Sequence, residues 1–348
     1  QAFPEIQDTE YIISKSVDFC RKQVLKKAMM KSVPLLNKCS FEEIEKLISD
    51  ALRLGISNDH GYDYIKDFEA RFIERARNPV TTGWAKIDKI TKGGLGQGEL
   101  VVVVAPTGAG KSHVLVHLGA QALKQGKNVV HFTLELADTS VAQRYDACLT
   151  GIPLDELINQ KDEVYDVIKD IDGQLIVKEF PTKSASTVTL KNHLEKIRQT
   201  EMEIDMIVVD YGDLLKSSIV RKNSEKRHEL ESIYEELRGL GQEFGCPIVT
   251  ASQTNRKGLN EEVITMESIS EAFNKCFVAD FIISLSRTIK DRNANIARIF
   301  VAKNRNGPDG IVFSAFMDTS SVSIKVLERD DVVKLQQQQL AKQQQKEF

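Results

Sequence analysis

The run Ala105-Pro106-Thr107-Gly108-Ala109-Gly110-Lys111-Ser112 combines small residues with a lysine and a hydroxyl at its end. Small side chains let consecutive backbone N–H groups curl around an anion, while the lysine reaches β/γ-phosphate oxygens and the serine offers a ligand to Mg²⁺. The flanks fit that chemistry. Leu100 to Val104 is an apolar run that reads as a buried strand, and a helix is expected to open at Lys111-Ser112. Strand, loop and helix in that order make a P-loop, with Pro106 to Ser112 as the phosphate-binding residues. The first position is Ala105 where the strict pattern has glycine. The chain is therefore expected to bind a nucleoside triphosphate.

Hydrolysing that ligand requires a carboxylate for Mg²⁺, a water-activating base and positive charge for the transition state. Ile204-Asp-Met-Ile-Val-Val-Asp210 is an apolar strand ending in a carboxylate, and Asp210 is read as the second metal-organising residue beside Ser112. Val129-Val-His-Phe-Thr-Leu-Glu135 has the same form. Glu135 is read as the base, against the plainer alternative of a surface glutamate capping the next helix. Cys246-Pro-Ile-Val-Thr-Ala-Ser-Gln253 ends in an amide that can contact a γ-phosphate or its water. No arginine in these three segments is placed to complete the site. Lys303 and Arg305, expected at the tip of a late hairpin, could reach the phosphate of a neighbouring copy. His113 and His117 stand at i and i+4 without an acidic partner in the motif, and read as ordinary residues of the P-loop helix.

These groups need a scaffold, and from residue 81 to about 327 strand-like and helix-like segments alternate, as in an α/β domain with a largely parallel sheet. Strands are expected near residues 100–104, 128–134, 174–178, 204–209, 246–252, 279–285, 296–302 and 311–317. Asn306-Gly-Pro-Asp-Gly310 is strong turn chemistry, so the last two should form a hairpin. Two long segments without clear periodicity interrupt the pattern. One is basic, with Lys216, Arg221, Lys222, Lys226 and Arg227, and follows Asp210 closely, a position that suits a nucleic-acid contact sensing hydrolysis. The other runs from Thr254 to Cys276. Loops of this length are usually functional or disordered.

Ahead of the α/β region, residues 1–57 read as the helical end of an N-terminal domain. A first helix should stop at Pro34, and Ser40-Phe-Glu-Glu43 should cap a second. Residues 58–80 hold a third helix, about 62–77, whose stripe of Ile65, Phe68, Phe72 and Ile73 must dock either on its own core or on a neighbouring subunit. The ATPase domain then spans 81–328, and 329–348 is a glutamine-rich tail expected to be mobile or to serve in docking. With 28% charged residues and a formal charge of −3, the chain is no dedicated basic nucleic-acid binder, so such contacts must be local. No segment approaches the roughly 18 apolar residues of a membrane span. Five scattered cysteines lacking a C-x-x-C pair argue for a reduced cytoplasmic setting and against a zinc site.

Taken together in order, the P-loop, Glu135, Asp210-Tyr211, Ser252-Gln253 and Lys303-Asn-Arg305-Asn-Gly-Pro308 resemble the DnaB-type hexameric replicative helicases. Thr82-Gly-Trp-Ala-Lys-Ile-Asp88 and Gly94-Leu-Gly-Gln-Gly-Glu-Leu100 fit too, and Leu175-Ile-Val-Lys-Glu-Phe-Pro-Thr182 looks like the T-even bacteriophage branch. The resemblance implies a RecA-like P-loop NTPase with a mostly parallel sheet and a C-terminal β-hairpin, assembled as a homo-hexamer. It implies ATP and Mg²⁺ between subunits, single-stranded DNA in the central channel, 5′→3′ unwinding, and primase and a helicase loader as partners in a bacterial or phage-infected cell. Lys303 and Arg305 would act in trans, and the 62–77 helix would pack on the adjacent protomer. The two long loops would grip DNA, with Glu271, Phe273 and Asn274 as candidate contacts in the second. Two departures stand out: Asp213 where many relatives carry Gln, and Ser270-Glu271-Ala272-Phe273 where the family has Arg-Glu-Ser-Gly. A RecA/RadA-type recombinase and a non-DNA ATPase ring share the core and are the competing readings.

Overall fold

The structure, a computed structural model, describes residues 9–36, 43–44, 48, 64–66, 68, 78–200, 202–217, 226–254, 263–264 and 276–328. The chain divides into two compact units, Gln1–Ala76 and Arg77–Phe348. In the first, helix α1 (Thr9–Leu36) runs two residues past its expected stop, with Pro34 inside its last turn. A proline there removes one i→i−4 hydrogen bond in the last turn, too near the end to break the helix, which continues to Leu36. Of the expected second helix, Glu43, Ile44 and Ile48 are described and helical. Tyr64, Ile65, Lys66 and Phe68 stand in turns, and the remainder of the expected 62–77 helix lies outside the described residues, as does the glutamine-rich segment. Among the described residues no helix is long and apolar enough to cross a membrane.

The second unit is built on one nine-stranded sheet. Its strands are β1 (Leu100–Ala105), β2 (Val129–Thr133), β3 (Leu175–Glu179), β4 (Met206–Asp210), β5 (Ile248–Gln253), β6 (Phe281–Ser286), β7 (Ile296–Asn304), β8 (Val312–Asp318) and β9 (Ser323–Val326). They lie in the order β3-β2-β4-β5-β1-β6-β7-β8-β9. The first six positions of that order are parallel, and β6 through β9 pair antiparallel. All eight expected strands are present and the β7–β8 hairpin forms. β9 is additional. It is reached by a tight turn in which Asp318 accepts hydrogen bonds from Ser320 and Ser321 and Val322 adopts φ 53°.

Strand alternation explains the two-sided core. Val101, Val103 and Ala105 of β1 face one apolar cluster, Leu100, Val102 and Val104 the other, and all six are fully buried. Helices α2 (Ala85–Ile90), α3 (Lys111–Lys124), α4 (Asp138–Thr150) and α5 (Lys161–Ile168) contribute to the first cluster. Helices α6 (Thr187–Arg198) and α7 (Lys226–Phe244) contribute to the second through Leu190, Leu194, Tyr234 and Leu237. A short helix α8 (Ile289–Asn293) links β6 to β7. The lead-in to β1 is fixed by Trp84, whose indole N–H donates to Ile324 O at 3.0 Å and whose ring stacks on His117 at 4.7 Å. His117 also faces Thr82 O at 3.1 Å, and burial lowers its pKa to about 4, so it is a neutral packing residue. Val103→Ala removes two methyl groups from a fully buried strand. It should lower unfolding free energy by about 2 kcal/mol in urea titration, a core-truncation cost; a loss under about 0.5 kcal/mol would mean β1 is not the packing centre.

Candidate active site

Parallel pairing sends the C-terminal ends of β1, β2, β4 and β5 to one edge of the sheet. Thr133 pairs with Asp210, and Ala105 with Gln253. The residues following these ends line a cleft of about 230 Å³ that includes Thr107, Lys111, Ser112, Glu135, Tyr211 and Gln253. Open α/β sheets bind ligands at this edge. The P-loop spans the turn from β1 to α3, with Gly108 at φ 72° and Gly110 at φ 109°. A Cβ on Gly110 would collide only with the movable Met317 methyl, so it is the left-handed backbone conformation that demands glycine. Ala105, by contrast, is the last residue of β1 and fully buried in the sheet, where an alanine fits.

Within the cleft, Lys111 Nζ folds back on the loop, 3.4 Å from Ala105 O and 3.3 Å from Pro106 O, and lies 5.7 Å from the Tyr211 ring centroid. Asp210 is buried and takes a hydrogen bond from the Ser112 side chain, while its Oδ1 has no partner among the described residues. Burial pushes its pKa from 3.8 up to about 6, opposed by the Ser112 hydrogen bond and raised further by Glu135, with Arg144 and Lys111 pulling it down. A buried carboxylate oxygen without a donor, beside a serine hydroxyl at a helix start, is a donor set that suits a hard divalent cation. Glu135 is exposed at the mouth of the cleft, just past the end of β2. Gln253 is anchored at three points. Its Nε2 donates to Thr107 Oγ1 at 2.6 Å, its Oε1 accepts from Tyr211 OH at 3.4 Å, and its backbone N–H donates to Asp213 Oδ2 at 3.2 Å. Asp213, the departure noted in the sequence, also accepts from Tyr234 OH at 2.8 Å.

The sequence reading missed Arg144. It lies on α4, lines the cleft, and is close enough to Asp210 and Glu135 to feel both charges, although burial is the larger effect and lowers its pKa. Its one sequence signal is a cation between Val141 and Tyr145 on a helix whose other face is core. His113 lines the cleft too, with a pKa lowered to about 4 chiefly by burial.

Lys303 and Arg305 are elsewhere. β7 runs antiparallel to β6, with Asn304 opposite Phe281 and Phe281 opposite Val101 of β1. They therefore sit at the opposite sheet edge, more than about 13 Å of strand from their own P-loop. Nor are they held free at a hairpin tip, as expected. Lys303 Nζ donates to Phe277 O at 2.6 Å, and Arg305 Nη1 contacts Asp280 Oδ1 at 3.0 Å. The exposed turn beyond them is tethered too, since Asn306 Nδ2 donates to Glu99 Oε1 at 2.7 Å. Of the candidate nucleic-acid residues, Lys216 is exposed and its N–H donates to Ala185 O at 2.8 Å. Lys226 and Arg227 are the first residues of α7. Arg221, Lys222, Glu271, Phe273 and Asn274 lie outside the described residues.

Comparison with known proteins finds the family described as DnaB-like helicase C terminal domain over residues 79–322. A DnaB-like replicative helicase of Enterobacteria phage T4 is 29% identical over 277 residues, 76% of this chain and 58% of the phage protein. The replicative DNA helicase DnaB of Mycoplasma genitalium is 25% identical over 350 residues, 91% of this chain and 74% of that protein. A solved DnaB-like replicative helicase, described with its interactions with primase, superposes with a TM-score of 0.66 at 15% identity, covering 93% of this chain and 80% of that one. The RecA-like fold expected from the sequence is therefore the fold observed. The chain spans little more than half the length of the phage relative it matches.

The Asp210 geometry has a consequence for stability. Its folded-state pKa lies above the ordinary value of 3.8, so its ionised form weakens the fold above about pH 6 and protonation relieves the cost as pH falls. Without nucleotide or divalent cation, Asp210→Asn should stabilise the protein at pH 8 by up to about 3 kcal/mol, two pKa units of differential interaction. The gain should shrink steadily toward pH 4. Denaturant titrations at several pH values check this; a gain that grows on acidification would reverse the assignment.

Proposed function

Because the chain belongs to the DnaB-like helicase C-terminal domain family, we propose that it is the motor portion of a replicative DNA helicase that hydrolyses ATP to move 5′→3′ along single-stranded DNA. Residues 106–112 cradle the triphosphate with backbone N–H groups, and Lys111 swings from the loop carbonyls to the β/γ oxygens. Ser112 and Asp210 hold Mg²⁺, which when bound would spread the charge of those oxygens. Glu135, exposed at the mouth, accepts a proton from the attacking water. Arg144 adds positive charge from the same chain, and Gln253, already tied to Thr107, reports whether the γ-phosphate is present.

One observation carries the reading. Four strand ends collect phosphate-handling groups at one edge, while Lys303 and Arg305 stand at the other. In a head-to-tail ring each copy offers its cation edge to the next copy's cleft, and six copies close around DNA. Lys216, Arg221, Lys222, Lys226 and Arg227, with Glu271, Phe273 and Asn274, are the proposed DNA-facing set. Primase and a loader are the expected protein partners, in the cytoplasm.

The deciding measurement is mass and ATPase rate with and without single-stranded DNA. Hexamers whose turnover rises several-fold on DNA are expected; DNA-independent turnover would favour a protein-remodelling ring, and open filaments a recombinase. Glu135→Gln should keep ATP binding and lose about 10²–10⁴-fold in kcat, the usual worth of a general base. Arg144→Ala should also lower kcat with the mass unchanged. A Glu135→Gln protein turning over at the wild-type rate would remove Glu135 from the chemistry.

A further inference from the structure

At the sheet edge away from the P-loop, Asp280 has only 7% of its side chain exposed. Its carboxylate accepts three hydrogen bonds and makes one further ion contact. Oδ2 accepts from Leu100 N–H at 3.0 Å and from Arg238 Nε at 3.0 Å, and Oδ1 accepts from Arg238 Nη2 at 3.2 Å and contacts Arg305 Nη1 at 3.0 Å. The backbone is tied as well, since Arg305 N–H donates to Asp280 O at 3.0 Å. The two arginines use the carboxylate differently. Arg238 engages it with two nitrogens, a geometry that fixes the carboxylate plane. Arg305 contacts it through one nitrogen, and its side chain is 43% exposed, so the rest of a rigid five-donor guanidinium faces outward.

We propose that Asp280 and Arg238 are positioning residues for Arg305. Asp280, its plane fixed by Arg238, holds one nitrogen of the guanidinium and aims the remainder at the γ-phosphate held by the neighbouring copy. The inference rests on the trans role given to Arg305 above and adds what sets its direction. Arg238 stands on α7, whose first residues are Lys226 and Arg227, so a displacement of that helix start is carried along about 18 Å of rigid helix to the carboxylate that aims Arg305. Lys303 is restrained beside it by Phe277, whose carbonyl and ring it meets at 2.6 Å and 4.7 Å.

A double-mutant cycle on the whole chain tests the clasp. ATPase activity at saturating ATP and single-stranded DNA is measured for wild type, Arg238→Ala, Arg305→Ala and the double variant. ATP affinity is measured alongside with a fluorescent analogue. Arg238→Ala should lower kcat at least fivefold in the wild-type background and less than twofold in the Arg305→Ala background, with ATP affinity changed less than twofold. Equal losses in both backgrounds, or no loss at all, would overturn the proposal. If thermal unfolding shows that Arg238→Ala does not fold, Arg238→Lys, which keeps the charge but not the two-nitrogen grip, carries the same cycle with the same criteria. Should Arg305→Ala turn over at the wild-type rate, the trans reading itself falls; a loss there with an additive Arg238 effect removes the clasp alone.

Discussion

The parallel register of β1 between β5 and β6 is the constraint on which both halves of this site depend. Pairing Ala105 with Gln253 brings the P-loop beside the amide that spans it, and the β2–β4 register sets Asp210 opposite the strand that leads to Glu135. The same sheet then reverses direction after β6. Antiparallel pairing of β7 necessarily returns its C-terminal end to the start of β1, so Lys303 and Arg305 are separated from their own cleft by the full length of the strands. The change of strand direction sets these two cations and the cleft at opposite ends of the sheet.

Electrostatics inside the cleft are arranged around an uncomfortable carboxylate. Burial disfavours ionised Asp210, and neither Lys111 nor Arg144 outweighs it. Lys111 is turned toward loop carbonyls, and Arg144 is itself partly desolvated. Such an arrangement keeps an acceptor oxygen available at a cost to the empty fold, a cost that a bound divalent cation would offset. The histidines nearby do not share in it: His113, His117 and His131 have pKa values lowered to about 4, 4 and 3, mainly by burial, and stay neutral.

Much of this was legible in the residues because strand-end chemistry leaves a local signature. An apolar run closed by Asp210, Glu135 or Gln253 declares both the strand and the group it presents, and the expected strands match the observed ones to within a few residues. Groups that reach the cleft from a helix leave no such mark. Arg144 looks like any solvated cation until α4 packs against α3. β9 was missed because Ser323-Ile-Lys-Val326 is too short to show a period, and only its pairing with β8 makes it a strand. The hairpin cations were found as residue types but misjudged in posture, because a turn sequence announces a reversal and says nothing about Phe277 or Asp280 waiting beneath it.

Asp213 shows how a departure from a family pattern can be absorbed by its surroundings. Its carboxylate accepts from Tyr234 OH and from the backbone N–H of Gln253, so it joins the β4 end, the β5 end and α7 in one polar contact. Tyr234 and Arg238 are four residues apart and share one face of that helix. Tyr234 holds the carboxylate that anchors the Gln253 backbone at the cleft, and Arg238, one turn further on, holds the carboxylate that contacts Arg305. A single helix thus touches the cleft edge of the sheet through Asp213 and the opposite edge through Asp280. Both contacts are hydrogen-bonded, so a shift of the helix at one end is felt at the other.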